Sequence, residues 1–204
     1  AGVALNGSTT PSAKAVLQAI KHTGRFGTSV VVGTPTRALP EYAALANGTA
    51  FHSIELDDVN NEASLHPGVV AYPTALSMAD MAPVDGKSFI AAVTAGYDVI
   101  IRLGRALKPA AHYGRGFHPT ATCGTFGAAT VSARLLGLKK GAFSDALGIA
   151  GSQASGSMEF LAQGAWTKRL HPGWASHSGI LAAILAREGF AGPWRMWFKV
   201  IEDQ

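Results

Sequence analysis

The sequence is poor in cysteine, in charge and in long apolar runs. A single cysteine, Cys123, leaves no internal disulfide and no cysteine-rich metal site, and a reducing compartment is the expected setting. Charged residues make up 15% of the chain against 48% hydrophobic residues, so the composition is globular, with little charge to cover the surface. Apolar faces should therefore meet a second subunit or a further domain, and self-association as a homodimer is expected. The longest apolar stretch near the C-terminus, Gly179 to Ala186, falls far short of the ~20 residues that span a bilayer. The opening AGVALNGSTTPSAKAV has no basic segment leading into an apolar one, so no signal peptide is read and a cytoplasmic location is expected. The first residue is not Met, which suggests processing or a longer parent. Basic residues form no run longer than Lys139-Lys140 or Lys168-Arg169, and no aromatic platform lies between them. That disfavours nucleic acid as a partner, and the modest net charge of +4 suits a small anionic substrate equally well.

What the sequence has in quantity is helical periodicity. Phe89, Val93, Tyr97, Ile100, Gly104 and Leu107 recur at three- and four-residue steps, and so do Phe143, Leu147 and Ala150, and Trp174, His177, Leu181 and Ile184. Pro67, Pro119 and Pro172 sit where helices can begin. The pattern predicts helices over 11–22, 40–57, 67–82, 87–107, 119–137, 141–155 and 173–188. Only SVVVGT (Ser29 to Thr34) reads as extended, and it has no partner strand in the sequence. The fold class is all-α, a helical bundle over residues 1–193, followed by a divergent tail at 194–204. Glycine and alanine inside helices, as from Cys123 to Ala133, predict close helix–helix approach.

Three groups of residues carry possible chemistry. His66, His118 and His171 each precede a proline and a helical pattern. An imidazole near a helix N-terminus is favoured in its neutral, basic form, and the free N–H groups there suit a carboxylate. The run from His52 to Asp58 places Glu55, Asp57 and Asp58 within four residues. On a continuing helix His52, Glu55 and Val59 would share a face, and such crowding can raise a carboxylate pKa. This run admits an acid/base site, a solvated helix end, or a metal site formed with His52 and His66, although no HExxH-like spacing is present. Thirdly, Gln163 to Gly173 reads as a glycine-flanked loop in which Lys168, Arg169 and His171 could grip carboxylates. Cys123 reads as a buried structural thiol.

At these motifs the sequence resembles the MmgE/PrpD family of 2-methylcitrate dehydratases, cis-aconitate decarboxylases and iminodisuccinate epimerases. The matching stretches are ALANGTAFHSIELDDVNNEASLHPG (44–68), GYDVIIRLGRAL (96–107), GFHPTATCGTFGAA (116–129) and ALGIAGSQASGSMEFLAQGAWTKRLHPGWASHSGILAA (146–183). The resemblance implies a dimerising helical domain, joined in family members to a smaller α+β domain, with the active site between the two. It implies catalytic roles for Glu55, Asp57, Asp58, His66, His118 and Lys168, and substrate binding by Lys168, Arg169 and His171. Glu55 replaces the usual first Asp of the acidic motif, Val59 replaces a frequent Thr, and the loop to His66 is one residue longer than in the decarboxylases.

The reaction implied is proton abstraction α to a carboxylate of a small di- or tricarboxylate, with His118 or His66 as base and an acid from Glu55–Asp58. Lys168 and Arg169 would hold the carboxylates, with no metal or organic cofactor. A non-catalytic helical module that only assembles is the alternative.

Overall fold

Prolines and small polar caps set where the helices begin. Thr10 accepts a hydrogen bond from the Ala13 amide ahead of α2 (Pro11–Thr23), which closes on Gly24 in the left-handed region. α1 (Gly2–Gly7) precedes it. Pro40 opens α3 (Pro40–His52), and α4 (Gly68–Ala79) follows a long loop. Asp85 caps α5 (Gly86–Ala106), its carboxylate accepting from the Ser88 amide at 2.6 Å. Pro109 and Pro119 open α6 (Pro109–Gly114) and α7 (Pro119–Leu135). α8 (Lys140–Gln153), the single turn α9 (Phe160–Gln163) and α10 (Thr167–Arg187) complete the set. The structure, a computed structural model, describes residues 2–81 and 84–193. The divergent tail at 194–204 lies outside the described residues, as does residue 82 of the helix expected at 67–82, which ends at Ala79. No described helix is long and apolar enough to cross a membrane.

The all-α expectation holds: the only sheet among the described residues is a two-stranded antiparallel ladder, β1 (Ser29–Val30) with β2 (Arg37–Ala38). This corrects the reading of SVVVGT as an unpartnered connector. The partner is two residues long, too short for a period-2 pattern to register.

The bundle centre is made by α3, α4, α7 and α10, with α5 laid against α7 and α8 against α7 and α10. Its core includes Leu65, Val69, Val70, Ile100 and Cys123. Burial pushes the Cys123 thiol up to about 12, which leaves it inert. Glycine permits the closest crossings. A methyl at Gly48 would meet the Gly173 Cα at 2.7 Å, so α3 and α10 touch backbone to backbone there, and one at Gly179 would fall against Ala128 and the Ala129 amide.

Close approach also corrects the α10 pattern. Trp174 is exposed and His177, Leu181 and Ile184 only half-buried, whereas Ala175, Ser176, Gly179, Ile180, Ala182, Ala183 and Ala186 are buried. Small side chains, not large ones, mark the inner face where helices cross tightly.

Candidate functional site

The helix expected over 40–57 stops at His52. Ser53 turns back to donate its hydroxyl to the Thr49 carbonyl, and Glu55 takes a left-handed φ of 52°, which no helix accommodates. The acids therefore lie on a loop, and the face shared by His52, Glu55 and Val59 does not form. Instead Asp57 folds back under the helix end. Its Oδ2 receives the Nδ1 of His52 at 3.0 Å and of His66 at 2.8 Å. A second acceptor, the Asp58 carbonyl, lies 2.9 Å from His66 Nδ1. Both acceptors lack a proton to give, so Nδ1 of His66 carries the hydrogen and its Nε2 carries the lone pair when the ring is neutral. Burial alone would raise the Asp57 carboxyl, but His52 and His66 outweigh it and hold it well below the usual carboxylate range. The Asp57 hydrogen bond in turn raises His66, against its own burial.

His66 is fixed from several sides. Asn60 and Leu65 pair across the loop, Tyr113 donates its hydroxyl to the Ser64 carbonyl, and the His66 amide donates to Thr120 Oγ1 at 3.1 Å. Asp58 is used structurally: Oδ2 accepts from the Tyr97 hydroxyl at 3.0 Å and from the Gly68 amide at 3.3 Å, at the start of α4. Burial, then the charge of Asp58, push the Tyr97 phenol up.

His118 caps the start of α7, as its sequence position implied, and its amide donates to the Gly156 carbonyl at 2.8 Å. An antiparallel bridge, Phe117 to Ser157, locks this loop to the segment ahead of α9. The ring is 2% exposed, its Nδ1 lies 3.0 Å from the Nδ1 of His171, and it stacks at 6.1 Å on His52. Burial, with the charges of His171 and His52 adding, pushes His118 down to about 2; burial also lowers His171, to about 4. Both rings are neutral across the physiological range.

His171-Pro172 does not precede a helix. α10 already begins at Thr167 and runs through Pro172, an interior position where the ring leaves the Lys168 carbonyl without its helical amide partner. Lys168 and Arg169 thus stand on a helix start and not on a glycine-flanked loop. Lys168 Nζ lies 2.6 Å from Glu55 Oε2. Burial would raise Glu55, but the Lys168 hydrogen bond and charge prevail and lower it. The expectation that crowding raises these acids is therefore overturned for Glu55 and Asp57, because cationic or hydrogen-bonding groups lie opposite each.

Glu55, His66, His118, Lys168 and Arg169 line one cavity of about 400 Å³, with Tyr113 and Phe160 among its apolar walls. Asp57 sits behind it as the support of His66, Asp58 is engaged at α4, and His171 stands behind His118, facing a separate cavity. Sequence reading left three contributors off the site: His52, which shares Asp57, and Tyr113 and Phe160 in the wall. The run of His52 five residues before Asp57 was the available signal; nothing local marks the other two.

His52, Asp57 and His66 also form the one group among the described residues with metal-ligating spacing, their ligand atoms lying within 4.8 Å of one another. A zinc ion would need each of them at about 2.0–2.2 Å and would displace both Nδ1 hydrogens. Those hydrogens already satisfy one carboxylate oxygen, so the geometry is that of a hydrogen-bonded triad.

The helical domain thus sets a neutral buried imidazole, a carboxylate-backed imidazole and a lysine–arginine pair around one cavity. The chain is a member of the MmgE/PrpD family: the model of the MmgE/PrpD N-terminal domain matches residues 1–199. Among similar proteins, the cis-aconitate decarboxylase-like protein oryM of Aspergillus oryzae is 33% identical over 92% of this chain and 40% of its own length. The cis-aconitate decarboxylase of Aspergillus terreus is 30% identical over 90% of the chain and 38% of its own length. That of Homo sapiens is 37% identical over 80% of the chain and 34% of its own length. The chain thus spans about two-fifths of the length of these relatives.

Proposed function

We propose that this chain is the helical part of a metal-independent lyase that moves a proton at a carbon next to a carboxylate in a small di- or tricarboxylate. The observation that carries the reading is the opposite tuning of two imidazoles on one cavity, His118 lowered and His66 raised. Environments that push such groups apart define an acid and a base. His118, neutral, takes the proton; His66, raised by its Asp57 hydrogen bond, is the group that in its protonated form donates one from Nε2 to a departing hydroxyl or a carbanion centre. Glu55 and Asp57, held ionised, are unsuited to be the acid. Lys168 and Arg169 bind carboxylates and stabilise the enediolate that proton removal creates.

Names of the relatives point to decarboxylation of cis-aconitate, while dehydration of the 2-methylcitrate type uses the same groups with a leaving hydroxyl. Val59 and the lengthened 59–66 loop, departures from the family pattern, argue against assuming the decarboxylase substrate. The test is a substrate screen on the native full-length protein, scoring CO2 release, loss of water and α-proton exchange in D2O separately; no reaction with any di- or tricarboxylate refutes the reading. A homodimer is proposed on the low charge content, with sedimentation as its check.

A second reading concerns the chain in isolation. Glu55 and Lys168 remain 48% and 25% exposed, so the cavity faces solvent and the isolated chain would bind carboxylates weakly without turning them over. A comparison of binding and turnover between this chain and the full-length protein separates the two readings.

A further inference from the structure

We propose that His171 is a proton relay for this site, passing a proton between His118 in the substrate cavity and a second cavity on the far side of Phe160. The inference rests on the reading of His118 as the group that exchanges a proton with substrate. It follows from a feature that role leaves unused: a second imidazole, that of His171, stands against His118.

The geometry is that of a two-ring wire. The two Nδ1 atoms are 3.0 Å apart, so one donates and the other accepts, and among the described residues neither Nε2 has a hydrogen-bond partner. His118 lines the main cavity, and His171 lines a separate one of about 340 Å³. Phe160 lines both, its ring centroid 6.0 Å from His118 and 5.8 Å from His171. It is 7% exposed and seals the wall that the imidazole pair crosses. Ser157, Glu159, Gln163 and Thr167, at the second cavity, are all exposed, so water reaches it.

Proton movement balances without any co-reactant but water. With Nδ1–H on His118 and Nε2–H on His171, His118 Nε2 takes the substrate proton, its Nδ1 proton passes to His171 Nδ1, and the Nε2 proton of His171 leaves to water. Both rings end neutral in the other tautomer. That state delivers a proton inward by the same steps reversed, as a decarboxylation requires, and release of product lets water reset the pair through the main cavity. Burial opposes a lasting charge on His118, so onward transfer relieves what retention would make costly. His171 touches no substrate; it is a positioning residue that passes a proton.

The test uses the native full-length protein with whichever carboxylate it turns over. His171→Asn keeps a hydrogen-bonding atom near the Nδ1 position but cannot carry a proton through; His171→Ala opens space beside the second cavity. Both variants should lose roughly 10-fold or more in kcat with KM nearly unchanged, and added imidazole should restore His171→Ala in a concentration-dependent manner. If His171→Asn keeps the parent rate and imidazole does nothing for His171→Ala, the relay is overturned and the function reading stands. If no carboxylate is turned over, the function reading fails, and 15N NMR of the histidine rings decides the relay on its own. Tautomer-averaged shifts at His118 and His171 support it, and a single fixed tautomer at each overturns it.

Discussion

Replacing Asp57 by Asn tests the reasoning at its most buried point. The carboxylate is 3% exposed and its Oδ2 serves His52, which is fully buried, and His66, which is 22% exposed. Asn keeps the shape and one acceptor but removes the charge, and it places an NH2 where Oδ1 now lies buried without a partner. An unsatisfied buried donor costs about 1–3 kcal/mol, and each charge-assisted hydrogen bond weakened adds part of its ~1.5–3 kcal/mol. A total of roughly 2–4 kcal/mol is expected, below the ~3–5 kcal/mol of a fully buried pair broken outright because His66 retains some water. At about 2–4 °C per kcal/mol for a chain of this size, Tm should fall by ~5–15 °C.

The pH dependence carries a sign. Asp57 is depressed in the folded state, so its contribution is present above the usual carboxylate range and is lost only as pH falls through its low folded value. His66 is raised, so its contribution is full below about 6.5 and fades as pH rises through the folded value. The Tm gap between parent and variant should therefore be widest near pH 5–6 and narrower at pH 9, by scanning calorimetry. A gap under ~2 °C, or one unchanged between pH 5 and 9, refutes the triad as described.

Four further outcomes are expected. His118→Asn should lower kcat of the full-length protein by roughly 10²–10⁴-fold with the helical circular dichroism intact. Lys168→Ala should raise the Glu55 pKa, read by NMR titration, and weaken carboxylate binding by about 10-fold or more through the lost charge-assisted contact. Elemental analysis should find no stoichiometric divalent ion, and a chelator should leave Tm unchanged; about one zinc per chain would make His52, Asp57 and His66 its ligands. Gly173→Ala, whose methyl would strike the Leu45 carbonyl and Thr49 on α3, should destabilise by ~1–3 kcal/mol through forced separation of α3 and α10.

Most of the bundle was legible because its helices are long, periodic and punctuated by proline, as in α5 and α7. The errors cluster where tertiary contacts override local pattern. Periodicity carried α3 on through Asp57, yet a carboxylate that can reach two imidazoles gains more by leaving the helix than by extending it. Pro172 read as a start signal, but it lies inside α10, which had begun at Thr167 with no side-chain cap to announce it. The cavity residues were visible as types, Lys168 beside Arg169 and His118 before Pro119. Their division of labour was not. Whether a carboxylate is raised by its neighbours or lowered by a cation opposite depends on partners 113 residues away, as for Lys168 and Glu55.

That division follows from where the bundle places its helix ends. His52 closes α3, His118 and Lys168 open α7 and α10, and His66 stands just ahead of α4. Helix N-termini carry partial positive charge, which works with burial to disfavour protonation of His118 and favours an anionic ligand. One group of imidazoles can thus differ within a few ångströms: burial lowers His118, whereas the Asp57 hydrogen bond raises His66 although it too stands ahead of a helix start. The glycines at 48 and 173 matter to this chemistry although they touch no ligand. They let α3 and α10 cross in backbone contact, and so bring the acidic loop that follows His52 within hydrogen-bonding reach of Lys168. A methyl group at 173 would push α3 away from α10, so loss of carboxylate affinity should accompany the loss of stability.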